Sequence, residues 1–245
     1  MTELRETFDT VAELYARARP SYPDEIVARI PRGNVLEVAC GTGQLTRSLV
    51  ARGDDVTCVE LGANLARVAQ REVPQARVMN ANFETWVVDG TYDVVACATA
   101  WGWIGDVKYR KAHDALRPGG HLALIAGYHV FPEDEDPFFR AIQEVYYSVG
   151  EPKIDVWPKP ATYDPQPRTD EIVASGLFAD VEVHRMVQEL HYTAESYIDV
   201  LNTFSGHILM TPEQRESIFA GVRRLAGDVI RKHMLVELHL ARRSD

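Results

Sequence analysis

The sequence predicts an α/β fold in which strands and helices alternate around an open, doubly wound, mostly parallel sheet. Three observations carry that expectation. Short runs rich in β-branched and apolar residues recur at 35–38, 56–59, 76–79, 92–97 and 121–126, each of strand length. Helical periodicity fills the intervals, as at 63–71 and 106–116. The first run passes directly into Gly41-Thr42-Gly43, after which an apolar helical pattern begins at once, the signature of strand, tight turn and helix.

That turn, within VLEVACGTGQLT at 35–46, is where a ligand would sit. Gly41 and Gly43 carry no Cβ, so the backbone there can take φ > 0 and a ligand can approach the main chain closely. The amides opening the helix, with the positive end of its dipole, favour an anionic or strongly polar group. Glu37 lies inside the first strand where core would be apolar, and a charge there needs a partner. Glu60 closes the second strand 17 positions after Gly43, near the offset at which a carboxylate meets ribose hydroxyls. A dinucleotide fingerprint would need Gly-x-Gly-x-x-Gly, and Thr46 stands where the third glycine belongs. Nor is there a Tyr-x-x-x-Lys pair around Tyr109.

In these residues the chain resembles the class I S-adenosylmethionine (SAM) dependent methyltransferases, whose first motif reads acid-x-x-x-Gly-x-Gly. The resemblance implies a seven-stranded, mostly parallel Rossmann-like sheet with the last strand antiparallel, and SAM as cofactor. It implies cofactor contacts at Glu37, Ala39, Gly41, Gly43, Glu60 and Leu61. Many small-molecule members begin with Phe-Asp-x-x-Ala-x-x-Tyr-x-x-x-Arg-Pro-x-Tyr-Pro, matched here by Phe8, Asp9, Ala12, Tyr15, Arg19, Pro20, Tyr22 and Pro23. Residues 1–33 are then expected to be lid helices closing over SAM, with Arg19 pairing the methionine carboxylate and Tyr15 lining the methyl-transfer site.

Taken in order, Phe8, Val11, Ala12 and Tyr15 recur at helical spacing. Pro20 and Pro23 interrupt, and Asp24 can cap the next helix. The third strand leads into Asn80-Ala81-Asn82-Phe83. Relatives place an acidic turn there whose side chain bonds the adenine amine and whose next N–H meets the ring. Asn82 takes the acid's place and Phe83 follows, and an amide oxygen can still accept from that amine. The fourth strand opens into Thr99-Ala100-Trp101-Gly102-Trp103, where relatives often carry Gln and His. Thr99 stands at the cofactor edge, and Gly102 removes a general base and leaves room beside Trp101. Arg117-Pro118-Gly119-Gly120 turns the chain into strand five.

Beyond residue 127 the resemblance loosens. Residues 128–168 are too long for a simple connection and read as a cap insertion, carrying Tyr128, His129, Phe131, a helix near 138–149, Trp157 and Tyr163. A framework helix at 168–176, strand six at 178–190, helices near 194–203 and 212–226, and a final strand at 234–240 complete the reading. Residues 192–205 match a stretch found in the trans-aconitate-methyltransferase-like branch, and 192–230 form the second cap insertion. The expectation is one domain over 1–245 with its SAM-binding core at 34–127.

The formal net charge of −10 argues against tight nucleic-acid binding, which needs clustered Lys and Arg. Three cysteines in no C-x-x-C spacing and a polar N-terminus without an apolar h-region suggest a cytoplasmic protein. No run approaches 18 apolar residues, so no membrane span is expected. The eight histidines form no H-x-x-x-H pattern, so no metal site is expected. The resulting expectation is a SAM-dependent methyltransferase, monomer or homodimer, acting on a small-molecule acceptor by in-line displacement. A protonated nucleophile needs a base, for which His129 and then His207 are candidates. A SAM-fold binding or regulatory module without catalysis is the alternative, ahead of an NAD(P)-dependent oxidoreductase.

Overall fold

Seven strands make one sheet: β1 (Asn34–Val38), β2 (Asp55–Glu60), β3 (Arg77–Asn80), β4 (Tyr92–Ala98), β5 (Leu116–Val130), β6 (Phe178–Tyr192) and β7 (Ile230–Arg243). Their order is β3-β2-β1-β4-β5-β7-β6, and the sheet is parallel apart from one antiparallel strand. The computed structural model describes residues 4–133, 136–152 and 167–245. Trp157 and Tyr163 lie outside the described residues.

β1 is central, pairing in parallel with β2 (Val35 opposite Val56) and with β4 (Val35 opposite Val94). The strand order reverses direction there, since β2 and β3 lie to one side and β4 and β5 to the other. Ligands of open α/β sheets bind at the carboxyl ends of strands at such a switch point. Between β4 and β5 the register passes from Tyr92 opposite Leu116 to Val94 opposite His121. The Arg-Pro-Gly-Gly turn is thus accommodated as an irregularity inside β5, with Gly119 at φ 74°.

The helices are α1 (Ala12–Ala18), preceded by a 3-10 turn at Leu4–Val11, α2 (Asp24–Val27), α3 (Gln44–Ala51), α4 (Ala63–Glu72), α5 (Lys108–Ala115), α6 (Phe138–Ser148), α7 (Pro167–Ala174), α8 (Ala194–Leu201), α9 (Ser205–Leu209) and α10 (Pro212–Leu225). α2 starts at Asp24 itself, so Asp24 lies in the first turn and Pro23 at the cap position. The final strand begins at Ile230 rather than 234, and α9 is additional to the helices expected from periodicity.

The chain forms two compact units. The first draws on residues 1–19, 128–163 and 187–235, the second on 20–127, 164–186 and 236–245. In the second unit, alternate strand residues enter two cores. Val35, Val56 and Val94 join Ile26, Leu45 and Leu49 on one face. Leu36, Val38 and Val95 join Ala112, Ala115 and Ile172 on the other. The first unit has its own core, built from Phe131, Phe138 and Phe139 with Tyr197, Ile198, Ile218 and Val222. Thr193 and Thr211 start α8 and α10 with reciprocal capping boxes.

α10 packs on α6 at Gly221, where an added Cβ would lie 2.9 Å from both Val145 methyls. Gly221→Ala is expected to destabilise by ~1–3 kcal/mol, lowering the melting temperature by several degrees in a thermal scan; an unchanged transition would show that the two helices do not pack this closely.

Candidate active site

The site in the second unit is assembled at the carboxyl ends of β1, β2 and β4. β1 ends in a turn closed by the Gly43 N–H donating to the Cys40 carbonyl at 3.0 Å. Three of its residues take left-handed conformations: Ala39 (φ 55°), Gly41 (φ 60°) and Gly43 (φ 90°). Two are glycines, which tolerate this freely, whereas Ala39 holds it against its own Cβ. Strain of this kind persists only where the surroundings enforce it, and the Ala39 N–H is anchored on the Val59 carbonyl at 2.8 Å. Gly43 opens α3 without any side-chain cap, so the first amides of that helix are oriented as donors for a polar ligand.

Glu60 ties this turn to the next strand. Its Oε2 accepts the Gly41 N–H and its Oε1 the Gly62 N–H, both at 2.9 Å. The carboxylate is therefore held at the tips of β1 and β2 by two backbone N–H groups. Leu61 follows it, 39% exposed, an apolar surface beside a polar anchor. Asn80, at the end of β3, donates its amide N–H groups to the Glu60 and Leu61 carbonyls at 3.0 and 2.9 Å. Sequence reading missed Asn80, since a polar residue closing an edge strand carries no motif.

Glu37 is 1% exposed in the middle of the sheet and accepts the Thr46 hydroxyl at 2.7 Å. Burial pushes its pKa up to about 8, against the lowering effect of the Thr46 bond, and the Glu60 charge raises it further. Thr46, which occupies the place of a dinucleotide fingerprint's third glycine, is thus the internal partner that a buried acid demands.

Asn82 spends its side-chain oxygen locally, accepting the Glu84 N–H at 2.9 Å, an Asx turn of the type that favours Asn. The Phe83 ring is buried in the core, with the Lys111 ammonium 5.5 Å from its centroid. Thr99 takes φ 58° at the end of β4, where its hydroxyl meets the Tyr22 hydroxyl at 3.3 Å. Next to it lies a cavity of about 360 Å³ lined by Thr99, the Trp101–Trp103 turn, residues 124–127 and Arg168. Trp101 is buried against Tyr109, centroids 5.4 Å apart, while Trp103 is 43% exposed. The room expected beside Trp101 corresponds to this cavity, and Arg168, which no motif marked and which is ion-paired with Glu171 at 2.7 Å, lines it.

Tyr15, Arg19, His129 and His207 belong to the first unit. Tyr15 packs edge-on against Phe8. Arg19 donates through Nε to the Thr203 hydroxyl at 2.8 Å and through Nη2 to the Thr203 carbonyl at 3.0 Å. His129 lies between Phe131 and Phe139, centroids 4.2 and 4.5 Å away. Burial, with Lys232 and His233 nearby, pushes its pKa down to about 2. His207 bonds the Tyr146 hydroxyl at 2.8 Å and is pushed to about 4 by burial and Lys232. Burial thus lowers the basicity of both imidazoles, and each has its neighbours within the first unit. Among the described residues no group of three or more His, Cys, Asp or Glu is placed to hold a metal ion.

Strand, left-handed glycine turn, uncapped helix start and a backbone-fixed acid on the neighbouring strand meet at the carboxyl ends of β1 and β2. Residues 35–120 match the methyltransferase domain family. An uncharacterised methyltransferase of Mycobacterium tuberculosis is 27% identical over 224 residues, 89% of this chain and 85% of that protein. A trans-aconitate 2-methyltransferase of Rhodopseudomonas palustris is 28% identical over 162 residues, 60% of this chain and 61% of its own. Among solved structures, one from Anaeromyxobacter dehalogenans superposes with a TM-score of 0.62 at 20% identity, covering 91% of this chain and 97% of the other. Over 35–120 the chain is thus similar to the methyltransferase domain family, and over most of its length to a methyltransferase.

With an unfolded value of 4.5 and a folded value of about 8, Glu37 holds a proton in the folded chain that the unfolded chain releases between those pH values. Its effect is therefore a loss of stability as pH rises through that window. Glu37→Gln is expected to flatten this dependence, so that the melting temperature drops less between pH 5 and pH 8 than in the parent; equal drops would show that Glu37 is ionised when folded.

Proposed function

We propose that the protein transfers a methyl group from SAM to a small-molecule acceptor. The observation that carries this reading is the Glu60 carboxylate, held by the Gly41 and Gly62 amides beside a turn of left-handed residues. Those residues fit an adenosine: bare backbone at Gly41 and Gly43 gives access, the start of α3 offers donors, and Glu60 faces hydroxyl donors with an acceptor-only group. Leu61 and the Asn82-Phe83 backbone are assigned to the adenine side, and Glu37 and Ala39 to holding the turn. Thr99 is assigned to the edge beside the 360 Å³ cavity, which is assigned to the acceptor.

When bound, SAM supplies a methyl group already activated by the sulfonium, open to in-line displacement. The protein's task is then alignment and exclusion of water, which Trp101, Trp103 and Leu124 serve by lining the cavity. Proton removal by His129 is not part of this reading, because its ring is packed between Phe131 and Phe139 and burial lowers its basicity. The trans-aconitate and malonyl-carrier-protein methyltransferases among its relatives are named for acids, and a carboxylate acceptor needs no base. Buried, unpaired Cys40, Cys58 and Cys97 suit a reducing, cytoplasmic setting, and the net charge of −10 disfavours nucleic acid as acceptor.

Calorimetry with S-adenosylhomocysteine (SAH), followed by incubation of a metabolite extract with methyl-labelled SAM, tests this function. Binding together with label in a small molecule is expected, whereas binding without any transfer would favour a non-catalytic module. Glu60→Gln places an amide N–H₂ against a backbone donor, so SAH affinity is expected to fall at least ~10-fold, about 1.4 kcal/mol. An unchanged affinity would remove Glu60 from the cofactor site. His129→Gln is expected to leave turnover within about threefold, and a ~100-fold loss would restore it as the base.

A further inference from the structure

Methyl transfer alone does not explain two buried polar groups beside the 360 Å³ cavity of the second unit. Trp101 is 3% exposed and Tyr109 8%, yet among the described residues neither the Trp101 Nε1–H nor the Tyr109 hydroxyl has a hydrogen-bond partner. Polar atoms buried in this way are rare and cost stability. Trp101 lines the cavity, and so does Arg168. Both come near enough to the Tyr109 hydroxyl to oppose the rise in its pKa that burial causes. The hydroxyl therefore lies at the cavity's edge, among N–H donors.

These donors are set in place before any ligand arrives. The Tyr109 ring packs edge-on against Trp101 and Phe178, centroids 5.4 and 6.3 Å away, so its orientation is fixed by aromatic contacts. Arg168 is paired with one oxygen of Glu171 at 2.7 Å, and Lys108 with the other at 2.9 Å. Both cations are thus committed to that acid, and an entering carboxylate would lose its hydration without gaining a free counter-charge. The rest of the wall is apolar, with Trp103, Leu124, Ile125 and Ala126. Water would satisfy the two donors and leave this wall wet. A neutral ligand with an apolar body and one accepting oxygen satisfies both, and 360 Å³ falls within the range of about 300–1,000 Å³ usual for small-molecule pockets.

We propose that the Trp101 Nε1–H and the Tyr109 hydroxyl, at the edge of this cavity, bind the carbonyl oxygen of a neutral, ring-bearing acceptor and so select that class of substrate. The inference rests on the assignment of the cavity to the methyl acceptor and deepens it. A carbonyl oxygen has two lone pairs, one for each donor. Trp101 and Tyr109 are specificity-determining residues in this role and take no part in moving the methyl group. A pocket built to hydrogen-bond a ligand rejects an analogue that lacks the bonding group far more strongly than an apolar pocket rejects a change of size.

The test is calorimetry on the full chain with the ketones 1-tetralone and 1-indanone, their carbonyl-free counterparts tetralin and indane, and the charged 1-naphthoate, SAH being titrated separately. At least one ketone is expected to bind, ~10-fold or more tightly than its hydrocarbon and than 1-naphthoate. Tyr109→Phe deletes only the hydroxyl and is expected to weaken that ketone at least ~10-fold, with the SAH dissociation constant within about twofold. Because the hydroxyl has no partner among the described residues, the same variant is expected to melt no lower than the parent, whereas a hydroxyl that served the fold would lower the melting temperature on removal. Four results would overturn the site: no ketone binding to the parent, hydrocarbon or 1-naphthoate binding as tightly as the ketone, unchanged ketone affinity in Tyr109→Phe, or a lowered melting temperature of that variant. A parent that binds a ketone but not SAH would contradict the cofactor assignment and leave this one standing, and SAH binding without ketone binding would do the reverse.

Discussion

One carboxylate sets the geometry on which the second unit's site depends. Glu60 is buried at the end of β2, and each of its oxygens takes one backbone N–H, from Gly41 across the turn and from Gly62 at the cap of α4. Because both donors are main chain, no rotamer of a partner side chain can release the group. The cost of burying the charge is offset by charge-assisted bonds to fixed dipoles. Asn80 closes the arrangement from the far side by holding the carbonyls of Glu60 and Leu61. The left-handed run at Ala39, Gly41 and Gly43 is what brings the Gly41 amide within reach.

Much of this was legible in the sequence, for physical reasons. Parallel strands buried on both faces read as continuous apolar runs, so β1, β2 and β4 announced themselves, and a charged residue inside such a run, Glu37, stood out. Glycine spacing fixed the turn because only bare backbone takes those conformations cheaply. Thr46 was visible only as a missing glycine; its bond to Glu37 needs the turn of α3 to bring the two together. Arg168 comes from another helix 65 residues beyond Trp103, a distance that no local pattern spans.

The first unit was harder to read. β7 starts at Ile230 and carries Arg231-Lys232-His233, which looks like a polar connection before the apolar stretch at 234–240. Its inward-facing lysine was therefore hidden, and so was the reason His129 is so weakly basic. Histidines stand out in a sequence as the residues that titrate near neutrality, but here burial and a neighbouring cation lower their basicity. Around Lys232 and Arg19 the neighbours are aromatic rings, whereas Arg223 of the same unit is paired with the Glu195 carboxylate.

Under the proposed function, the Glu60 carboxylate and the glycine turn cradle an adenosine. A crystal structure of the chain with S-adenosylhomocysteine tests it directly. Both ribose hydroxyls are expected within hydrogen-bond reach of Glu60, with the Gly41–Gly43 backbone against the ligand. A ribose bound elsewhere, or a Glu60 side chain turned away from its hydroxyls, would contradict it.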